Sequence, residues 1–278
     1  MNGQEGTLIV PDQLVYVLGQ INYDFSSGSR RVSLQQRIEG ALDLEQPTTL
    51  LDHLDEHPED ATAVQWVLHL EGVPIYVVEP SGPFASEAYA LLRRFLREQL
   101  EEGVERVSIP GEVSGIARHR SGLELPVIAP VLRGMYSWTT KALVTSVLQA
   151  AGVENADAEH GRPAELRAGV TNFLERIYYE LRNVGREPHE RAVNFAATNA
   201  FEVGRIYEHA INDNMELDAI EVEPKTTCPP GANCWEVKLI FFYPERPNQT
   251  LRRLYRFTVD VADVVPATIG PMRSWSIR

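Results

Sequence analysis

Cys228 and Cys234 are the chain's two cysteines. They bracket Pro229-Pro230-Gly231-Ala232-Asn233, a turn-forming stretch that can bring two Cα atoms within disulfide range across a hairpin neck. The same thiols could stay free, or supply half of a zinc site. Structural zinc, however, takes four ligands at shorter spacings, and no histidine lies close in sequence. Nothing beside either sulfur would lower a thiol pKa, so a nucleophilic role has no support. The expectation is a structural pair, Cys228 with Cys234, and no metal. His53 and His57 also stand four apart, on one helical face that can hold a metal. Yet Leu54 occupies the place where a zinc protease carries its general-base glutamate, and so acidic a segment ahead of Pro58 reads as a solvated face.

Gly134-Met135-Tyr136-Ser137-Trp138 gathers aromatic and polar groups that can line a groove for an extended peptide, or can plug a core between two parts of the fold. Ser137 has no Gly-x-Ser-x-Gly elbow and no base in view, so it is not read as a nucleophile. Phosphate loops, dinucleotide-binding glycines, calcium loops and kinase motifs are all absent from the sequence. No catalytic residue and no cofactor are assigned. Two polar stripes complete the inventory: Asn172, Arg176, Tyr179 and Asn183, then Asn194, Thr198, Glu202, Arg205 and His209. Amides and guanidinium groups pair with peptide N–H, C=O and carboxylate groups. Tyr136, Trp138, Asn172, Arg176, Asn194 and Asn199 are therefore the candidate peptide-binding residues. The competing explanation is that these groups satisfy hydrogen bonds inside the fold.

The elements that must position them follow from periodicity. Leu166, Val170, Phe173, Ile177, Leu181 and Val184 recur at helical spacing after Pro163, with Gly185 as the expected C-terminal cap. Pro188 starts a second expected helix, carrying Val193, Ala197, Ala200, Gly204, Tyr207 and Ile211. Upstream, Val15–Phe25 reads as a strand, Thr48–His57 as a short helix, and Val64–Leu70 with Ile75–Val78 as a hairpin turning at Glu71-Gly72. Ser86 is expected to cap a helix carrying Tyr89, Leu92, Leu96 and Leu100 and stopped by Gly103. A strand at Val104–Ile109 and a hairpin over Gly111–Val127 follow, then a helix at Thr139–Gln149 and an exposed loop at Gly152–Gly161. Ala219–Val222, Trp235–Tyr243 and Leu251–Val261 form an expected antiparallel meander, with Trp275 in a short final strand. The fold class is α+β: an N-terminal α/β unit, residues 1–125, then helices packed on an antiparallel sheet, residues 126–278.

Composition narrows the functional classes. A chain of 278 residues with 44% hydrophobic content can bury a sizeable core. It has no apolar run near the ~20 residues of a membrane helix, and its start lacks the character of a signal peptide. A cytoplasmic protein without a membrane partner is expected. The formal charge of −13 argues against nucleic acid as a partner. Residues 1–125 hold 20 acidic and 9 basic side chains, so most of the imbalance lies there. Arginine outnumbers lysine 23 to 3, which favours bidentate pairing with carboxylates over point-charge contacts.

Several long strings resemble one family. They include Phe84-Ala85-Ser86-Glu87, Glu102–Gly111 (EGVERVSIPG), Arg133–Thr140 (RGMYSWTT), Val170–Asn183 (VTNFLERIYYELRN) and Glu190–Phe201 (ERAVNFAATNAF). The Cys228…Cys234-Trp235 turn, Tyr255–Pro266 (YRFTVDVADVVP) and Arg273-Ser274-Trp275 extend the likeness over nearly the whole chain. It is similar to the C-terminal domain of unknown function attached to cyanobactin maturation proteases, the patellamide-type macrocyclases. The subtilisin-like Asp, His and Ser contexts of those proteases do not occur here, so no catalytic site is carried over. The resemblance implies a role with ribosomally made, post-translationally modified peptides. The expected function is a non-catalytic accessory protein that holds a precursor peptide or docks a processing enzyme in a groove between its two parts. The alternatives are a peptide-modifying hydrolase or cyclase, and a structural dimerisation module acting as a homodimer.

Overall fold

The structure, a computed structural model, describes residues 14–38, 43–150, 152–153, 160–198, 201–244 and 251–277. Its first strand, β1 (Leu14–Asp24), begins with a continuous apolar run, Leu14–Leu18, because both faces are buried there. Val15, Val17 and Ile21 point into one core, while Tyr16 and Leu18 point into the other. Period-two alternation thus makes one strand the wall between two hydrophobic clusters.

The C-terminal half of β1 pairs with β2 (Gln65–Leu70), and its N-terminal half pairs with β4 (Arg106–Arg118). β2 turns into β3 (Val73–Val78) through Glu71 and Gly72, whose positive φ values of 52° and 77° suit a tight hairpin. β3 runs parallel to β5 (Glu124–Pro130), which returns antiparallel to β4. The pairing therefore closes on itself as β1-β2-β3-β5-β4-β1. With a helix, α3 (Ala85–Glu101), between β3 and β4, this is the connectivity of an OB-type barrel, a likeness of architecture that carries no function by itself. α1 (Gly28–Arg37) and α2 (Pro47–Glu56) lie in the β1–β2 connection. β6 (Tyr136–Trp138) adds to β4 beside β5.

The remainder is helices on a sheet. α4 (Thr140–Ala150), α5 (Arg162–Glu175), α6 (Pro188–Thr198) and α7 (Phe201–Asn212) precede a meander of β7 (Glu216–Pro224), β8 (Cys234–Phe242), β9 (Arg252–Asp260) and β10 (Ala267–Ile277). Phe173 and Ile177, Val193 and Ala197, Tyr207, and Phe241 with Tyr255 share one core with Tyr16, Leu18 and Trp138. The class is α+β, as expected.

Several local expectations are corrected. Phe84, not Ser86, occupies the N-cap of α3; the Ser86 hydroxyl instead donates to Glu87 at 2.8 Å. The first long helix does not reach Val184. After α5 the backbone widens into a π-helical turn at Arg176–Glu180 and stops at Leu181, which is only half-buried. Gly185 is thus no helix cap. Its φ of +67° and its close approach to the Tyr16 carbonyl serve the junction with β1. The second expected helix is described as α6 and α7, and the final strand is eleven residues long rather than short. The expected boundary at residue 125 falls inside β5, whose pairing continues to Pro130.

Candidate functional site

Ser108 organises the setting of one of the exposed aromatic side chains, Tyr136. It is fully buried on β4, donates its hydroxyl to the Gly134 carbonyl (2.7 Å) and accepts the Tyr136 N–H (3.2 Å). These bonds fix the entry into β6, where Tyr136 and Trp138, two residues apart, share one face of the strand but differ in burial. Trp138 turns inward, 9% exposed, and its indole N–H donates to the Tyr178 hydroxyl at 3.0 Å. Tyr136, on the same strand face, is 59% exposed. Between them, Ser137 donates its hydroxyl to Glu98 at 2.5 Å.

Tyr136 stands on one wall of a cleft of about 700 Å³. Arg133, Gly134 and Tyr136–Trp138 line the cleft together with Ala142, Leu143 and Ser146 of α4, Phe195 and Thr198 of α6, and Val265–Thr268, which run into β10. Tyr16 also lines it, its hydroxyl 2.8 Å from Thr198 Oγ1, and burial pushes its pKa up to about 12. Among the described residues the cleft has no histidine in its lining, and its buried phenol is shifted away from any role as a base at neutral pH. What it offers is shape, apolar surface and hydrogen-bonding groups.

The six candidate peptide-binding residues do not converge. Tyr136 and Trp138 both touch the cleft, but Trp138 does so as a plug of the shared core. Asn172 and Arg176 line a separate cavity of about 550 Å³ with Tyr207 and Met215. Arg176 is already committed there, donating to the backbone carbonyls of Asp218 (2.6 Å) and Leu217 (3.2 Å) of β7. Asn194 is corrected from groove to interior: it is 3% exposed, donates to the Tyr16 carbonyl (2.9 Å) and exchanges bonds with Asn183 (2.8 and 3.1 Å). Asn199 lies outside the described residues. Phe195, Tyr16 and the Val265–Thr268 segment go unassigned from sequence, and Thr198 figures there only as a member of a polar stripe. The one available signal was the two-sided apolar character of β1, which requires a second layer over Tyr16.

Cys228 and Cys234 form a disulfide with Cα atoms 5.9 Å apart at the start of β8, and neither lines the cleft. His53 is not on a solvated face; it is buried, with Nε2 2.9 Å from the Asp60 carboxylate, while His57 is half exposed. Among the described residues no helix is long and apolar enough to cross a membrane.

Comparisons with known proteins agree across the chain. A family model described as "PatG Domain" matches residues 14–119, and one described as "PatG C-terminal" matches residues 160–275. The Arg133–Ser146 part of the cleft lies between the two. No curated protein matches. A solved structure described as "PatG Domain of Unknown Function" superposes with a TM-score of 0.81 at 37% identity, covering 96% of this chain and 100% of that one. The chain belongs to the family of C-terminal domains of unknown function found in PatG, the cyanobactin maturation protease.

Proposed function

We propose that the chain is a non-catalytic accessory domain of cyanobactin-type peptide biosynthesis, and that the cleft beside Tyr136 holds an extended stretch of precursor peptide. The observation that carries this reading is the pairing of an exposed aromatic with two one-sided strands. β6 and β10 each have a single strand neighbour among the described residues, and both border the cleft. A peptide laid between them can add backbone hydrogen bonds to a strand edge, while Tyr136 and Phe195 supply area for its side chains. The cleft volume also falls within the range usual for ligand sites, roughly 300–1,000 Å³. Catalysis is disfavoured because the Ser137 and Tyr16 hydroxyls of the cleft are bonded to Glu98 and Thr198, and that of Ser146 to the Ala142 carbonyl, rather than to an imidazole.

Calorimetry with a cyanobactin-type precursor peptide, full-length and leader-only, tests the reading. Tyr136→Ala removes a solvent-exposed ring and should leave the fold intact. It is expected to weaken binding at least ~10-fold, about 1.4 kcal/mol. Equal affinity in a folded Tyr136→Ala variant removes the cleft from consideration, and turnover of the peptide by the purified chain defeats the non-catalytic reading.

A further inference from the structure

A further, smaller cavity of about 280 Å³ lies at the other end of α6, its lining including Leu14, Arg186, Glu187, Pro188, Arg191 and Asn233. Arg191 is the unusual member. It is 4% exposed, yet among the described residues it forms no ion pair. One guanidinium nitrogen donates to the Asp263 backbone carbonyl, and its buried Nε has no hydrogen-bond partner. An unpaired donor on a buried cation is costly, because the group has lost water and gained no acceptor. Burial also lowers its pKa to about 10, with the Asp263 charge opposing that shift without cancelling it.

The nearby carboxylates are engaged elsewhere or solvated. Glu190 accepts the amide N–H groups of Arg186 (2.9 Å) and Glu187 (3.2 Å), so it caps α6. Asp263 accepts the Val264 N–H at 2.7 Å, and both Asp263 and Glu187 are exposed, where water screens them. The N-terminus of α6 adds its positive end of the helix dipole to the same cavity. The missing partner is thus an acceptor carrying a single negative charge. A polyanion would meet repulsion from Glu187 in the lining and from Asp263, whose charge reaches Arg191.

We propose that this cavity is a carboxylate-binding site, with the Arg191 guanidinium as its charge-assisted donor. It is distinct from the Tyr136 cleft and does not rest on the function proposed for it. The carboxylate can belong to an acidic side chain or to a chain terminus, and both present the same planar acceptor pair.

The test uses the full chain with acetate and its neutral isostere acetamide at fixed ionic strength. The readout is the ¹⁵Nε–¹Hε resonance of Arg191, identified by its loss in Arg191→Lys. Acetate is expected to shift it saturably and acetamide to leave it unmoved. Arg191→Met should fold, because it removes an uncompensated buried charge while keeping apolar length, and it should weaken acetate binding at least ~10-fold. Two short capped peptides separate the sources: acetyl-Gly-Ala with a free carboxyl terminus, and acetyl-Gly-Glu-Gly-amide. Whichever shifts the resonance at lower concentration identifies the carboxylate accepted. Equal shifts by acetate, acetamide and chloride, or acetate binding undiminished in Arg191→Met, would overturn the proposal. If neither variant folds, the difference in thermal midpoint between acetate and acetamide on the unaltered chain decides it, and no difference sinks it.

Discussion

Gly185, Asn183 and Asn194 form a knot of amides that holds β1 against α6. The Tyr16 N–H donates to the Gly185 carbonyl (2.9 Å), Asn194 donates to the Tyr16 carbonyl, and the two asparagines exchange bonds. Tyr16 therefore has both backbone groups satisfied by a segment far away in sequence. Asn194→Ala should cost about 1–3 kcal/mol, since it strands a buried carbonyl and one side of Asn183, and chemical denaturation measures it. Gly185→Ala should cost at least as much. A Cβ there would overlap the Tyr16 carbonyl, and the backbone sits in the left-handed region at φ +67°. A variant as stable as the parent at either position would show the knot to be incidental. The sequence placed Asn194 correctly on a helix but misplaced its function. An asparagine amide has the same chemistry whether it faces a groove or a carbonyl 178 residues away, and only the fold distinguishes the two. Tyr136 and Trp138 share one face of β6 by strand parity; what separates them is that Trp138 is covered by the helical core and Tyr136 is not, a distinction that only the fold supplies.

At the level of elements, local signals were read well and non-local pairing was not. The β2–β3 hairpin, α2, α3, α4 and the β7–β9 meander lie close to where periodicity and turn residues put them. Barrel closure was invisible because it depends on β1 meeting β4 and on β3 running parallel to β5, contacts that leave no mark on either strand's own pattern. The widened turn at Arg176–Glu180 was equally hidden, since Ile177 and Tyr178 keep their burial through it. The β7–β8 turn was legible, with a Pro-Pro-Gly stretch between paired cysteines. Its disulfide spans six residues of separation, so the unfolded chain loses little freedom through it. The double variant Cys228→Ser/Cys234→Ser is expected to lose about 2 kcal/mol and to keep its affinity for peptide, because the loop does not reach the cleft. A much larger loss, or lost binding in a folded double variant, would mean that the loop supports the cleft from a distance.

The whole molecule behaves as more than two halves in sequence. Tyr16 and Leu18 from the barrel and Trp138 from β6 are buried in the same cluster as Phe173, Phe241 and Tyr255, so the second core is incomplete without the first sheet. The cleft inherits this arrangement. Part of its lining hangs from β4 through Ser108, part belongs to α4 and α6, and part runs into β10. Separate unfolding of either half would expose the shared cluster and erase the cleft together. The expected outcome is one thermal transition seen alike by far-ultraviolet circular dichroism and by tryptophan fluorescence, which samples Trp66 deep in the barrel and Trp235 on the second sheet. Leu18→Ala should move that single transition downward by about 2–5 kcal/mol of stability. A bound precursor peptide should move it upward as one unit, by about 2.7 kcal/mol at a hundredfold excess over Kd. Two resolved transitions, with peptide shifting only one, would place the binding surface within a single half and refute a cleft built across both.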